Sequence, residues 1–240
     1  MAEWIGIERR ARRCYGFDEV ALVPGRQTVN PNEVDTSWSL GKLKFKIPIL
    51  AAAMDGVVSV DFAVAMGKLG GIAVLNLDGV QTRYENPDEI LDQIAKASPE
   101  EATKLLQDLY LPPIQEKLIS KRIEEIKKAK VPAFASCIPQ NAKRFGALAQ
   151  EAGCDVFIVQ STVATVKHVS TEYKVLDIHD FCKEMKTPVV LGNSVTYDMA
   201  LELMEQGIAG LLVGVGPGAA CTTRGVLGIG VPQEIGRAHV

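Results

Sequence analysis

No apolar run in this chain approaches the roughly 20 residues that a membrane helix needs, and the N-terminal stretch Met-Ala-Glu-Trp-Ile-Gly-Ile-Glu-Arg-Arg lacks a signal-peptide core. A membrane is therefore not an expected partner. Five cysteines, at positions 14, 137, 154, 182 and 221, form no CxxC pair, and only three histidines are present. That pattern speaks against a disulfide framework and a zinc site, and it places the chain in a reducing, cytoplasmic setting. An excess of one charge is missing too: 26 Lys and Arg stand against 29 Asp and Glu, a net of −3. With few aromatics and no basic cluster that interleaves them, nucleic acid is not expected as a partner either.

What is present is regular alternation. The 240 residues suffice for one sizeable domain, and six short, nearly continuous apolar runs occupy 47–55, 72–77, 132–137, 155–160, 188–192 and 208–213. Continuous runs of this length read as strands of a parallel sheet whose faces are both covered. Helical patterns fall between them, at 60–71, 121–130, 141–153, part of 172–186, and 197–207, where Leu201, Leu203 and Met204 are read as facing inward. The charge run in 121–130 reads as a solvated helix face. Residues 15–24, apolar in alternation and closed by Pro24, read as an extended segment or short strand capping a barrel bottom. A doubly wound sheet would carry GxGxxG after its first strand, and this chain has Met54-Asp-Gly-Val-Val-Ser59 there. The expected fold is α/β, an incomplete (β/α)8 TIM barrel with about six of its eight units.

The last apolar run opens into Gly214-Val-Gly-Pro-Gly-Ala-Ala-Cys221-Thr-Thr-Arg224. In a barrel the chemistry sits at this edge, where strands end. Glycines let backbone N–H and C=O groups approach an ion closely. Cys221 follows them, with hydroxyls and a guanidinium behind it, so its thiol is a candidate nucleophile if its pKa is lowered.

This string resembles the active-site loop of the IMP dehydrogenase and GMP reductase family, Gly-x-Gly-Pro-Gly-Ser-x-Cys-x-Thr-Arg. Gly214, Gly216, Pro217, Gly218, Cys221, Thr223 and Arg224 match it, and Ala219 stands in place of the serine. Residues 17–24 are similar to the family's opening phrase, and Ala52-Ala-Met54-Asp55 resembles its Ser-x-Met-Asp. The resemblance spans nearly all of residues 15–233. It implies Cys221 as nucleophile and Thr223 as a hydroxyl that positions water. It further implies that Met54, Asn193, Gly218 and Ala219 meet a purine nucleotide, that Gln160, Ser161 and Gly214 meet NAD, and that the carbonyls of Gly216, Gly218 and Cys221 bind potassium. A homotetramer is the implied assembly for a full-length protein. The implied reaction is oxidation of IMP to XMP with NAD⁺. NADPH-dependent GMP reduction and a catalytically lapsed nucleotide binder remain open beside it.

Several positions depart from the family. Ala52 and Ala219 replace phosphate-binding serines, Gln160 replaces an aspartate beside the nicotinamide, and Ala209 and Leu212 replace a charged pair. The roughly 45 residues at 86–130 are too few for the CBS modules found in many members, so the chain resembles CBS-less branches. Residues 1–233 are accordingly expected to be the N-terminal part of a single barrel domain. The tail Glu234-Ile-Gly-Arg-Ala-His-Val240 matches the translation of a common sequencing adapter, so 234–240 are expected to be non-native read-through. His239 is then no catalytic candidate. The family's last phosphate loops and flap are not in this chain, and the polypeptide alone is expected to be inactive.

Overall fold

Five of the six apolar runs become strands because each offers side chains that need burial on both faces, which a parallel sheet between two apolar layers supplies. The sixth, at 47–55, contributes only the two-residue strand at Leu50–Ala51. The computed structural model describes residues 2–4, 7, 10–12, 14–16, 19–21, 23–218 and 221–232. The chain begins with two short antiparallel pairs, β1 (Ala2–Trp4) with β2 (Arg10–Arg12), and β3 (Trp38–Leu40) with β4 (Leu43–Phe45). Then follow β5 (Leu50–Ala51), α1 (Val60–Leu69), β6 (Ile72–Asn76), α2 (Val80–Arg83), α3 (Pro87–Lys96), α4 (Pro99–Tyr110) and α5 (Glu116–Lys128). The remainder alternates: β7 (Phe134–Cys137), α6 (Ala142–Glu151), β8 (Val156–Gln160), α7 (Ile178–Glu184), β9 (Val189–Ser194), α8 (Tyr197–Met204), β10 (Gly210–Val213) and α9 (Thr222–Leu227).

β5 to β10 lie side by side in chain order, and every pair is parallel. Sequential order with right-handed crossovers puts all connecting helices on one face, which is the winding of a barrel and not of a doubly wound sheet. Alternate strand residues divide accordingly. Ala73, Leu75, Ala135, Phe157, Val159 and Leu191 pack outward against Ile119, Ile123 and Ile126 of α5, Phe145 of α6, Phe181 of α7 and Leu203 of α8. Ile72, Val74, Phe134, Val156, Ile158 and Val190 form a separate inner cluster. Helix ends carry their own signals: the Ser59 hydroxyl accepts from the Phe62 amide at 3.1 Å, and Gly70 closes α1 in the left-handed conformation.

The inner cluster is completed by the β3–β4 hairpin, with Trp38, Leu40, Leu43 and Phe45 lying against it. Because Phe134, Val156 and Gly210 start their strands, the hairpin plugs the N-terminal end of the barrel. Capping was expected from residues 15–24. Those of them that are described form no strand, and Val23 is 89 % exposed. The hairpin does the work because its apolar positions alternate about a glycine turn and meet Phe134 directly. Two other expectations need correction. In α8 only Leu203 of the three named side chains is buried, with Ala200 beside it, while Leu201 and Met204 face outward. In the charged helix, Arg122 is 6 % exposed. Its guanidinium donates to the carbonyls of Gln81, Tyr84 and Glu85 at 2.8–3.1 Å and pairs with Glu125, fastening α5 to the end of α2. A buried cation survives there because each donor has an oxygen partner.

Candidate functional site

The C-terminal ends of β5 to β10 carry the candidate residues, on loops stitched to one another by backbone. After β8, the Ser161 amide donates to the Gly192 carbonyl at 2.9 Å and its carbonyl accepts from the Asn193 amide at 3.1 Å. At the end of β9, the Asn193 side-chain amide donates to the Gly214 carbonyl at 2.8 Å, and the Gly214 amide donates to the Ser194 carbonyl at 2.8 Å. Asn193, Ser161 and Gly214 are thus brought together. Gly192 permits this closeness, because a Cβ there would lie 2.4 Å from Cβ of Leu212 on the neighbouring strand. Leu212 itself packs against the inner cluster, which extends the apolar core toward the mouth.

The glycine loop then turns back on itself. Gly216 has φ +56°, and the Val231 amide donates to the Val215 carbonyl at 2.9 Å, so the segment after α9 closes beneath the loop. Cys221 is partly exposed and immediately precedes α9. The Thr223 hydroxyl and amide hydrogen-bond to its sulfur, and the Arg224 amide and charge add to them, so the thiol is held below its ordinary value. Burial pushes the Cys137 and Cys182 thiols up, and Cys154 up to about 12. Position 221 is therefore the place where a thiolate forms most readily among these four. Alkylation of Cys221 by iodoacetamide, followed by mass spectrometry across pH, is expected to reach half its maximal rate below the ordinary thiol range. A lowered pKa means the reactive anion persists to lower pH, so Thr223→Val is expected to move the midpoint up. An unmoved midpoint removes Thr223 from that role.

The remaining candidates are more dispersed. Met54 is 57 % exposed on the loop after β5, at the opposite edge of the sheet from the Cys221 loop. Gln160 shares the inward parity of Val156 and Ile158, whereas Ser161 opens onto a separate cavity of about 320 Å³. That cavity is walled by Ile138, Val163, Leu176 and Leu191, with Thr162 and Thr165 and a stacked His168–Tyr173 pair at 2.8 Å hydrogen-bond distance. Apolar walls with a few hydroxyls suit part of a dinucleotide. For potassium, the Gly218 carbonyl accepts from the Cys221 amide at 3.2 Å and keeps a second lone pair. Neutral carbonyl oxygens are the donors a hard monovalent cation takes. Ala219 lies outside the described residues, as do 233–240. Among the described residues, no cluster of His, Cys, Asp or Glu could hold a metal ion, and no helix is long and apolar enough to cross a membrane.

Sequence reasoning missed the acidic hub between the first two loops. The Asp55 carboxylate accepts from the Val80 amide at 3.0 Å, from the Asn76 side chain at 3.5 Å and from the Tyr110 hydroxyl. Asp78 accepts from the Ile138 amide at 2.7 Å and from Asn141 at 2.6 Å, with burial raising its pKa against those bonds. No local pattern announces partners so far apart in the chain.

A parallel sheet wound in this order, with its thiol-bearing loop after the sixth strand, has the architecture of an incomplete (β/α)8 barrel. Comparison with known proteins narrows the class. The chain belongs to the IMP dehydrogenase/GMP reductase family, whose model, described as "IMP dehydrogenase / GMP reductase domain", matches residues 14–238. It is 36% identical over 235 residues to an uncharacterized oxidoreductase of Mycolicibacterium smegmatis, covering 95% of this chain and 63% of that protein. An inosine-5'-monophosphate dehydrogenase of Cryptosporidium parvum is 30% identical over 236 residues, 90% of this chain and 55% of its own length. The crystal structure of an IMP dehydrogenase/GMP reductase-like protein from Corynebacterium glutamicum superimposes with a TM-score of 0.88 at 31% identity, covering 97% of this chain and 62% of that one. The chain thus spans about 63% of the length of the M. smegmatis relative.

Proposed function

We propose that this chain is the thiol-bearing part of a purine-nucleotide oxidoreductase that converts IMP, NAD⁺ and water to XMP and NADH. The observation that carries the proposal is the place of Cys221, partly exposed at the head of α9 where the glycine loop after the sixth parallel strand ends, in a chain of the IMP dehydrogenase/GMP reductase family. In this reading the Cys221 thiolate adds to C2 of the purine, and water later releases the oxidised base from sulfur. Splitting one hard step into two in this way is what a covalent nucleophile contributes. The nicotinamide, when bound, supplies the hydride acceptor. Asn193 presents a buried side-chain oxygen without a partner, an acceptor suited to a ribose hydroxyl or a base N–H. Met54 offers an exposed apolar surface to the base across the mouth. Ser161 and the cavity beside it, together with Gln160 and Gly214, are assigned to the dinucleotide, and the Gly216, Gly218 and Cys221 carbonyls to potassium. Homotetramer assembly is part of the same proposal.

The test uses a polypeptide extended to the length of the M. smegmatis relative. Incubation with IMP plus NAD⁺ is expected to produce NADH, followed by its absorbance. Consumption of NADPH with GMP would transfer the assignment to GMP reduction, and nucleotide binding with silence in both assays would leave a binder that has lost catalysis.

A further inference from the structure

Between α2 and α5 the chain leaves the barrel for two helices, α3 and α4, and returns at the end where the candidate site lies. α2 clamps the returning end. The Tyr84 hydroxyl donates to the Leu109 carbonyl at 2.9 Å, the Gln115 amide to the Thr82 carbonyl at 2.9 Å, and the Arg83 guanidinium to the Pro112 carbonyl. The Arg83 guanidinium also lies over the Tyr110 ring, 5.5 Å from its centre. Held in this way, Tyr110 points its hydroxyl at the Asp55 carboxylate, 55 positions away in sequence.

Asp55 directly follows Met54, so whatever holds its carboxylate holds the loop. The Met54 carbonyl accepts from the Val57 and Val58 amides, both at 2.9 Å, which makes the loop one tight turn that moves as a unit. Its outward anchors are the bonds of Asp55 to Val80, Asn76 and Tyr110. Glycine at 79 is required for the first of these, since a Cβ there would lie 2.0 Å from the carboxylate. Two anchors come from the neighbouring strand β6 and the first residue of α2, and the third comes from the helical excursion.

We propose that Tyr110 is a positioning residue: through Asp55, the α3–α4 excursion sets where the Met54 loop stands and so how the purine is received. The purine clause rests on the nucleotide reading above, whereas the hold on the loop does not.

Tyr110→Phe tests both parts, because it keeps the ring beneath Arg83 and removes one donor. Two quantities are compared with the wild-type chain: amide hydrogen exchange of residues 54–58, and the dissociation constant for IMP by calorimetry. Exchange in 54–58 is expected to quicken about fivefold or more, and IMP to bind about five- to tenfold more weakly, as losing a partly exposed hydrogen bond to a carboxylate implies. Near-UV circular dichroism reports whether the variant keeps its packing, and Asp55→Ala, which removes the acceptor, is expected to reproduce the loosening of 54–58. If exchange changes only within α4, or if 54–58 loosens while IMP binds as before, the proposal is overturned. Loosening of 54–58 in a chain whose wild type binds no IMP would uphold Tyr110's hold on the loop and remove the nucleotide reading instead.

Discussion

In the extended polypeptide, and on the proposed IMP-oxidising reading, Cys221→Ala is expected to lower turnover of IMP by at least about 10³-fold while leaving nucleotide affinity within about threefold. The asymmetry follows from where the sulfur sits. The proposed reading assigns binding to Asn193, Met54 and backbone groups of the glycine loop, none of which changes when a partly exposed thiol becomes a methyl group. The chemical step has no substitute for the thiolate, because the other three titrating cysteines with shifted values lie buried or half-buried with their pKa pushed up. Cys221→Ser is expected to be as inactive as the alanine variant. The same donors from Thr223 and Arg224 act on a hydroxyl whose ordinary pKa lies far above that of a thiol. NADH formation by either variant within tenfold of wild type would place the nucleophile elsewhere.

How far sequence alone reaches can be judged from particular residues. The place of Cys221 at the end of a glycine loop was legible because its neighbours are contiguous: glycines, thiol, hydroxyl and cation fall within eleven positions. The strands were legible for a similar reason. Runs such as Val156–Gln160 and Ile72–Asn76 are apolar on both faces, and their length suits a strand better than a helix. The plug was not identified, although Trp38, Leu40, Leu43 and Phe45 alternate about Gly41 as a hairpin should. Alternation says which side chains share a face and not what that face meets, and 15–24 show the same signal while none of their described residues is buried. Arg122 and Tyr110 were hidden differently. Both lie in charged, amphipathic stretches whose local pattern means solvent, and their partners are 37–55 positions away. Long-range polar contacts leave no periodicity, so only the folded chain reveals that one fastens α5 and the other reaches the Met54 loop.

The plug also separates stability from chemistry, and Phe134→Ala makes the separation measurable. Phe134 opens β7 on the inner face and is 1 % exposed. Its ring meets Phe45 edge-on at 6.0 Å, and Phe45 in turn lies 4.8 Å from Trp38, so one aromatic chain joins the sheet to the hairpin. Truncation removes the ring from the centre of the inner cluster and is expected to cost about 3–5 kcal/mol, read from urea denaturation midpoints at unchanged slope. Against a typical total stability of about 5–15 kcal/mol that is a large fraction. Phe45→Ala in the same background is expected to cost less than it does alone, by about 0.5–1.5 kcal/mol, because the pair it would break is already gone. The pH profile of Cys221 alkylation is expected to stay where it is in Phe134→Ala under folding conditions. Hydrogen bonds at the opposite end of the barrel set that thiol, and none of them touches the plug. A shifted profile would show that the two ends are coupled through the inner cluster, by way of Ile158, Val190 and Leu212, which lie between Phe134 and the stitched loops of Asn193 and Gly214.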